Sequence, residues 1–395
     1  MEFVEISGSG REAFLRAVEE VKKGCIVVLP RADISLDEEV MLKQLSEESG
    51  GLVLGPGCGS SMVLGKGFGV WSSVRRGPFG LISTGGSGIL ELTSLLRDAG
   101  ISHSICVGPR DLSQKVGARG TSMALKFFSS DPETDFIIIA ARTPTSGVLK
   151  KVLNDVNDCS KPVILCLLGA EKLQKPNVTP NFEACALKAL ALGGYDTGRL
   201  EDNLDVNGIA MKERFRFGYG QRYLRGLFSG GMLCTEAQLV TCERLFSVRS
   251  NFPVFPRMRL PDPHSSRGHA CVDMGDPEIS GGGNPMVDLK PRCDRILREA
   301  GDWEIAVLLL DVVLGNGAHP DPAGELARSI EQARSKVQES GGNLCAVASV
   351  IGTKSDPQGH SSQIKKLMRA ETYVLECSTS AARLAASVAG SVRSV

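Results

Sequence analysis

The strongest constraint on the fold is a repeat, because two distant stretches of the chain follow the same pattern of strand, glycine turn and helix. Residues 80–88 read GLISTGGSG and residues 226–234 read GLFSGGMLC. Each half then continues with the same elements in the same order: an acidic turn, a fully apolar strand, a helix and a second apolar strand. Four matching elements in one order predict two copies of a single α/β domain.

The order of predicted helices and strands in the rest of the chain sets the predicted domain boundaries. Residues 1–60 read helix, strand, helix, strand, with Ser35 as N-cap and Gly50 at the C-cap of the second helix, which is typical of a parallel sheet covered by helices. Two such units are few for a doubly wound domain, so this segment is predicted as the end of one. We predict the first copy at 61–175, a linker with an excursion at 176–220, and the second copy at 221–395.

Composition excludes several classes of function. The 395 residues carry 45 Lys plus Arg and 45 Asp plus Glu, so no electrostatic reason favours nucleic acid or an anionic membrane as a partner. No apolar run is long enough for a membrane span, and the start MEFVEISGSGREAF lacks the basic and apolar parts of a signal peptide, which predicts a cytoplasmic protein. The 12 cysteines form no C-x-x-C pair and are interpreted as buried apolar residues in a reducing compartment, and no metal site is predicted because the five histidines lie outside ligand spacings.

The two glycine turns are candidate anion sites. A helix that starts directly after a strand presents free N–H groups, and glycine lets a phosphate or carboxylate approach the backbone. The alternative is that glycine only allows the helix to pack tightly on the strand. Neither turn is a dinucleotide or Walker motif, so NAD and P-loop nucleotides are not predicted. The predicted anion ligands are Ser83, Thr84, Gly85, Gly86, Ser87 and Gly88 in the first turn and Ser229, Gly230 and Gly231 in the second.

Other polar segments also follow predicted strands, at the edge where ligands bind to parallel sheets. Arg110 is interpreted as a bidentate ligand of a carboxylate or as a surface partner of Asp111. His319 and Asp321 fit proton transfer, or else an ordinary Asx-Pro turn. Asp311 ends a buried strand, where hydrogen bonds to the amides of the next loop are expected.

Three further residues complete the candidate site. Gly108 precedes Arg110, Thr353 follows the last apolar strand of the repeat, and Asn284 lies in a long polar loop that starts near His264. That loop is interpreted as substrate-facing, with a metal site as the less favoured alternative. The predicted catalytic residues are Arg110, His319 and Asp311, and the predicted substrate or phosphate ligands are those of the two turns together with Gly108, Asn284 and Thr353.

The motifs resemble two related families. LVLGPGCGSSMVLGKGFGV, GPFGLISTGGSGILEL and SHSICVG are similar to the α subunit of succinyl-CoA synthetase, from the end of its CoA-binding domain into its first ligase domain. Over nearly the whole chain the sequence resembles the FdrA family of acyl-CoA-synthetase-like proteins. The motifs that carry this second resemblance, in order, are ADISLDEEVMLKQL, GPGCGSSM, GPRDLSQKVG, GLFSGG, VDMGDPEISGGGNPMVD, LLLDVVLGNGAHPDP and IGTKSDPQ.

The resemblance implies a fold, a location and a reaction. The implied fold is a partial Rossmann-like CoA-binding segment at 1–60 followed by two flavodoxin-like domains, in a cytoplasmic protein. The implied function is that of a subunit of a carbamoyltransferase that interconverts oxamate plus carbamoyl phosphate and oxalurate plus phosphate during allantoin and purine breakdown. Other protein subunits and a small anionic substrate are the partners that this function requires.

This sequence differs from both families at positions that limit the reactions expected of it. The synthetase carries its phosphoryl group on a histidine that follows the strand matching VILCLLG, and this chain reads AEKLQKPNVTPNFEACA there, without histidine. A phosphohistidine relay is therefore not expected. The phosphate loop of the CoA-binding domain would lie upstream of residue 1, so no tightly bound cofactor is expected, although CoA binding stays open. FdrA proteins usually read Gly-Gly-Arg-Asp at 108–111 and His-Pro-Met at 284–286, where this chain has Pro109 and Asn284.

Three hypotheses remain at this stage. The first is a carbamoyltransferase subunit that handles a small acyl phosphate. The second is a component of an acyl-CoA ligase that needs partner chains for CoA and nucleotide. The third is a scaffold subunit that keeps the fold without the chemistry.

Overall fold

The computed structural model describes residues 2–8, 10–31, 33–170, 173, 175–200 and 204–390. The chain divides into two compact units, Met1–Tyr195 and Asp196–Val395, which we call unit 1 and unit 2. No helix among the described residues is both long and apolar enough to cross a membrane.

Unit 1 contains two sheets. A small parallel sheet has the order β1-β2-β3, and a larger sheet has the order β10-β9-β8-β6-β7-β4-β5, in which β4 runs antiparallel to its neighbours. The elements are β1 Phe3–Glu5, α1 Gly10–Lys22, β2 Ile26–Val28, α2 Leu36–Ser49, β3 Leu52–Leu54, β4 Ser60–Val63, β5 Lys66–Gly69, β6 Phe79–Ser83, α3 Gly86–Leu95, β7 Ile101–Cys106, α4 Arg119–Ser130, β8 Phe136–Arg142, α5 Ser146–Asn157, β9 Val163–Leu168, β10 Val178–Thr179 and α6 Phe182–Leu192.

Unit 2 contains one parallel sheet with the order β12-β13-β11-β14-β15-β16. Its central strand, β14, is buried along its whole length, as the apolar run predicts. The elements are α7 Val206–Arg214, β11 Tyr223–Phe228, α8 Gly231–Leu245, β12 Val248–Ser250, β13 His269–Asp273, α9 Pro277–Ser280, α10 Lys290–Glu299, β14 Ile305–Val313, α11 Pro322–Glu339, β15 Cys345–Ile351, α12 His360–Arg369, β16 Thr372–Leu375 and α13 Ser378–Ala389.

The two units share a five-strand core. In unit 1 the order β7-β6-β8-β9-β10 and in unit 2 the order β13-β11-β14-β15-β16 are both 2-1-3-4-5 when the strands of each core are numbered along the chain. This is the flavodoxin-like order, in which ligands bind at the carboxyl ends of the strands. The predicted fold class, α/β with parallel sheets repeated in two halves, is confirmed.

Local signals placed some helix ends correctly and missed others. Ser35 caps α2 through a capping box with Glu38, and Gly50 ends that helix in the left-handed region, as predicted. Thr121 or Ser122 is the N-cap that the sequence predicts for helix α4, but the helix begins earlier, at Arg119, with Ala118 as N-cap. Its first amides are bound by a distant side chain, described below, rather than by a local cap.

The stretch 176–220, predicted as a linker with an excursion, holds regular structure of both units. Strand β10 extends the larger sheet of unit 1 by pairing with β9, and α6 packs against α3 and β9. Helix α7 instead packs against α13 of unit 2. Residues 201–203 of the stretch lie outside the described residues.

Candidate functional site

Both glycine turns lie at the carboxyl edge of a sheet, each directly after the first strand of its five-strand core. We call residues 83–88 turn 1 and residues 229–231 turn 2. In each turn a glycine with extended backbone, Gly85 or Gly230, is the N-cap of the following helix. The two turns are therefore equivalent positions, and their neighbours can be compared directly.

Turn 1 is held mainly by its own backbone. The Thr84 N–H donates to the carbonyl of Ala140 at 3.1 Å. The Ser83 hydroxyl donates to the Gly85 carbonyl at 2.9 Å and accepts the Gly85 N–H at 3.2 Å. Gly86 and Ser87 are the first two residues of α3, and within the described residues their N–H groups have no acceptor. Free N–H groups at a helix start are the donors that bind anions.

The glycines of turn 1 also allow close packing, which was the alternative interpretation. A Cβ on Gly86 would lie 2.9 Å from the Ser60 nitrogen, and one on Gly88 would lie 3.0 Å from the Ser83 hydroxyl and 3.4 Å from the Phe182 ring. Packing therefore explains Gly88, which is buried. Gly85 and Gly86 are only half-buried, so a small ligand can still reach the start of α3.

Turn 2 faces carboxylates. The Ser229 N–H donates to Asp311 Oδ1 at 2.8 Å, and its hydroxyl donates to Asp311 Oδ2. Asp311 is fully buried, and the guanidinium of Arg292 donates to its carbonyl at 2.8 Å and lies 3.4 Å from Oδ1. The prediction that Asp311 binds the amides of the loop after its own strand is wrong, because its carboxylate binds Ser229 instead. The loop that it holds belongs to the neighbouring strand β11, and the role is structural.

A second carboxylate, Asp273, lies on the other side of turn 2. A Cβ on Gly231 would be 3.0 Å from Asp273 Oδ2. The pKa of Asp273 is raised to about 7, mainly by burial and also by the charges of Asp276 and Asp311, while the Gly275 N–H that donates to Oδ1 at 2.9 Å opposes the rise. The start of α8 is therefore surrounded by the protein's own acids, an unfavourable place for a second anion.

The predicted ligand Arg110 is bound to helix α2. Its Nε donates to Glu39 at 2.7 Å and its Nη2 to the Ile34 carbonyl at 3.0 Å, while Nη1 has no partner among the described residues. The alternative pairing of Arg110 with Asp111 is wrong. Asp111 instead binds Lys43 at 2.8 Å and accepts the first N–H groups of α4.

This second set of contacts forms a buried ionic cluster of Lys43, Glu39 and Asp111, all with 0% exposure. Lys43 also donates to the Val107 carbonyl at 2.8 Å and to Glu39 at 2.9 Å. The cluster fixes the loop that follows β7 to helix α2. Gly108 in that loop has φ +92°, and a Cβ there would lie 2.3 Å from the Pro56 carbonyl, so glycine is required by a close backbone approach rather than by a ligand.

The remaining candidates in unit 2 make local contacts. His319 Nδ1 accepts the Asp321 N–H at 3.1 Å, and Asp321 caps α11 and pairs with Lys366 at 2.7 Å. The Thr353 hydroxyl accepts the Ser355 N–H at 3.1 Å. Exposed Asn284 accepts the Met286 N–H at 2.9 Å.

The structure joins two of these loops, since the His319 N–H donates to the Met286 carbonyl at 2.9 Å. None of these contacts includes a described residue of turn 2.

Sequence reasoning missed Lys43, Asp273 and Arg292. Lys43 and Arg292 lie in helices whose sequence gives no sign that a charge is buried. Asp273 lies in the stretch after His264 that the sequence predicts as a loop, whereas in the structure it is the last residue of β13. No group of three His, Cys, Asp or Glu side chains suited to hold a metal occurs in the part of the chain that the structure describes, the loop after His264 included.

Comparisons with known proteins agree with this architecture. A model of the CoA-ligase family matches residues 227–388. The uncharacterized protein YahF of Escherichia coli K12 is 33% identical over 391 residues, which cover 96% of this chain and 75% of YahF. The α subunit of ADP-forming succinate–CoA ligase from Methanothermobacter thermautotrophicus is 25% identical over 157 residues, 39% of this chain and 53% of that subunit.

Solved structures show only a distant likeness. The dinucleotide-forming acetyl-coenzyme A synthetase 1 of Ca. Korarchaeum cryptofilum, in its apo form, is 16% identical with a TM-score of 0.34, over 98% of this chain and 83% of that one. ATP citrate lyase from Methanothrix soehngenii is 15% identical with a TM-score of 0.36, over 50% and 37%. Likeness at this level carries no information about function.

The parallel sheets and the repeated core define an α/β protein, and residues 227–388 of it match the CoA-ligase family model. Within that class, the chain belongs to the family of Escherichia coli YahF.

Proposed function

We propose that the chain is a subunit of a transferase that acts on a small acyl phosphate, with carbamoyl phosphate as donor and oxamate as acceptor. The observation that carries the proposal is turn 1, where the N–H groups of Gly86 and Ser87 have no acceptor among the residues that the structure describes and where Cys106 and Ala140 lie beside Ser83 in the sheet register. A phosphate there gains helix-start hydrogen bonds, and the two residues that flank Ser83 in the sheet carry no carboxylate.

The proposed reaction follows from the negative charge that turn 1 would stabilise. The oxamate nitrogen attacks the carbonyl carbon of carbamoyl phosphate and the C–O bond to phosphate breaks. The leaving phosphate gains negative charge and takes up the proton that the nitrogen loses. N–H groups fixed before the reaction stabilise that charge without reorganisation. Within the described residues, Nη1 is the nitrogen of Arg110 that has no hydrogen-bond partner, and we assign it to the oxamate carboxylate.

A second candidate function is a component of an acyl-CoA ligase. The CoA-ligase match over 227–388 and the 25% identity to a succinate–CoA ligase α subunit favour it. The two candidates share an acyl phosphate held at turn 1 and differ in the acceptor, which is a nitrogen in the first and the thiol of CoA in the second.

The test distinguishes the step that both candidates share, the use of an acyl phosphate at turn 1, from the identity of the acceptor. The protein is incubated with oxalurate and phosphate, and carbamoyl phosphate is measured. A parallel reaction with ATP, CoA and a short carboxylic acid is assayed for thioester. Carbamoyl phosphate that forms with wild type and with Gly147→Ala, but not with Gly86→Ala, supports the proposal. Gly147 is the matched control because a Cβ there meets nothing within 4 Å.

Thioester formation without carbamoyl phosphate would replace the first function by the second. Binding of phosphate to wild type, measured by calorimetry, tests the shared step by itself. No phosphate binding and no product in either reaction would leave only the scaffold hypothesis.

A further inference from the structure

Two cysteines from different parts of unit 1 lie together beside turn 1. Cys58 follows β3 in the turn at 55–59, and Cys106 is the last residue of β7. Both have 0% exposure. The Cys58 thiol lies 3.1 Å from the Ser61 hydroxyl, and that hydroxyl accepts the Cys106 N–H at 2.9 Å. The Cys106 thiol in turn donates to the carbonyl of Gly57, the residue before Cys58, at 3.9 Å.

We propose that Cys58 and Cys106 are an oxidation site that forms a reversible disulfide and thereby controls anion binding at turn 1. The formation of the disulfide is independent of the proposed transferase function, and only its effect on phosphate rests on that function. The oxidant is a hydroperoxide, and the solvent-exposed backbone nearest to Cys58 in the chain is that of Gly59, the next residue.

The surroundings give the two thiols different roles. The pKa of Cys106 is lowered, although burial alone would raise it. The groups that lower it are the Cys58 thiol, the Gly108 and Gly59 N–H groups and the Lys43 charge. The pKa of Cys58 is raised because its proton is shared with Cys106 and because it is buried. Cys106 is therefore the attacking thiolate and Cys58 the resolving thiol.

The steps balance in atoms and electrons. The Cys106 thiolate attacks the peroxide, the O–O bond breaks, and a sulfenic acid and an alcohol (water from hydrogen peroxide) form. The Cys58 sulfur then attacks the Cys106 sulfur, the S–S bond forms, the S–O bond breaks, and hydroxide leaves with the Cys58 proton as water. The two thiols lose two electrons and the peroxide gains them.

The register connects this pair to the anion site. Cys106 pairs with Ser83 of turn 1 in the sheet. The backbone of Gly59 and Ser60, next to Cys58, lies within about 3 Å of the Cβ position of Gly86. A bond that draws Cys58 toward Cys106 moves this backbone against the start of α3, and we expect phosphate to bind about tenfold more weakly to the oxidised protein.

The experiment uses the full chain in its folded state. The protein is exposed to hydrogen peroxide, remaining thiols are blocked, and peptides are mapped by mass spectrometry without reduction. A Cys58–Cys106 cross-link that dithiothreitol removes, present in Cys345→Ser and absent in Cys58→Ser and Cys106→Ser, supports the proposal. Cys345 is the control because it is buried in unit 2 and burial raises its pKa. No cross-link in the wild type, or a cross-link between other cysteines, overturns it.

Phosphate titration of the reduced and oxidised forms tests the control of anion binding. Weaker binding after oxidation, restored by dithiothreitol, supports it, and equal binding in both forms refutes it. If neither form binds phosphate, the proposed function and this control both fail, whereas the cross-link still decides whether the pair is an oxidation site.

Discussion

Turn 1 and turn 2 occupy the same position in two copies of one five-strand core, but they differ in the charge that surrounds them. The Thr84 N–H of turn 1 is bound by a backbone carbonyl, that of Ala140. The equivalent N–H in turn 2, that of Ser229, is bound by the carboxylate of Asp311. The fold therefore fixes where a helix starts, and side chains on the neighbouring strands set the charge beside that start.

The largest effect is expected at Asp311, the residue that most distinguishes turn 2. Asp311→Ala leaves the Arg292 guanidinium and the Ser229 N–H buried without their partner, and we expect a loss of about 3–5 kcal/mol in the free energy of unfolding. Urea denaturation measures it. Asp294→Ala, which removes an exposed carboxylate paired with Lys290, is the control and is expected to change stability by less than about 0.5 kcal/mol.

Asp311→Asn tests how much of this loss comes from the hydrogen bond, because its amide oxygen can still accept the Ser229 N–H. We expect it to recover part of the loss. A loss for Asp311→Ala no greater than that of the surface control would show that turn 2 is not held by this carboxylate.

The next effect concerns the pH dependence of unit 2. The pKa of Asp273 is about 7 in the folded protein and 3.8 for an ordinary aspartate, so the folded state binds this proton more tightly than the unfolded chain does. Ionisation of Asp273 therefore lowers the free energy of unfolding, an effect that is absent below about pH 4 and complete above about pH 7. Above about pH 7, Asp273→Asn is expected to be more stable than wild type by on the order of 3 kcal/mol.

Thermal or urea unfolding of both proteins at pH 4.5 and pH 8 checks this sign. Asn keeps an oxygen for the Gly275 N–H, so the comparison isolates the charge. An advantage of the variant that is equal at the two pH values would mean that Asp273 is not the titrating group.

The smallest effects in free energy come from paired glycine substitutions in the two turns. The Cβ of Gly86→Ala meets backbone at Ser60, whereas that of Gly231→Ala meets the side chains of Asp273 and Phe252, which can move. We expect a loss of about 1–3 kcal/mol for the first and less than about 1 kcal/mol for the second. Only Gly86→Ala should weaken phosphate binding, by about tenfold.

Calorimetry with phosphate measures the difference, and Gly147→Ala controls for the general effect of replacing glycine. Equal weakening by Gly86→Ala and Gly231→Ala would remove the distinction between the turns.

The sequence predicted features that depend on neighbouring residues and missed those that depend on distant ones. The repeat, the strands and the Ser35 cap follow from patterns within a few residues. The start of α4 does not, because Thr121 and Ser122 offered a local cap while Asp111 reached the helix from the preceding loop. Lys43 bonds to residues 64 and 68 positions away, a contact that no periodicity encodes.

The same limit applies to the candidate site. Glycine and serine at a strand end predicted both turns as anion sites, and that pattern is identical in the two halves. The carboxylates beside turn 2 come from β13 and β14, whose order relative to β11 is known only from the folded sheet. Charge at a helix start is therefore a tertiary property, and the sequence of the turn alone could not distinguish the two.

The most direct test follows the glycine N–H groups themselves during addition of phosphate. Protein labelled with ¹⁵N-glycine is titrated and its amide resonances are recorded, with Gly86→Ala and Gly231→Ala used to assign the two turns. We predict that the Gly86 resonance shifts with saturation while the Gly230 and Gly231 resonances stay in place. Shifts at turn 2, or no shift at turn 1, would contradict the assignment of the anion site to turn 1.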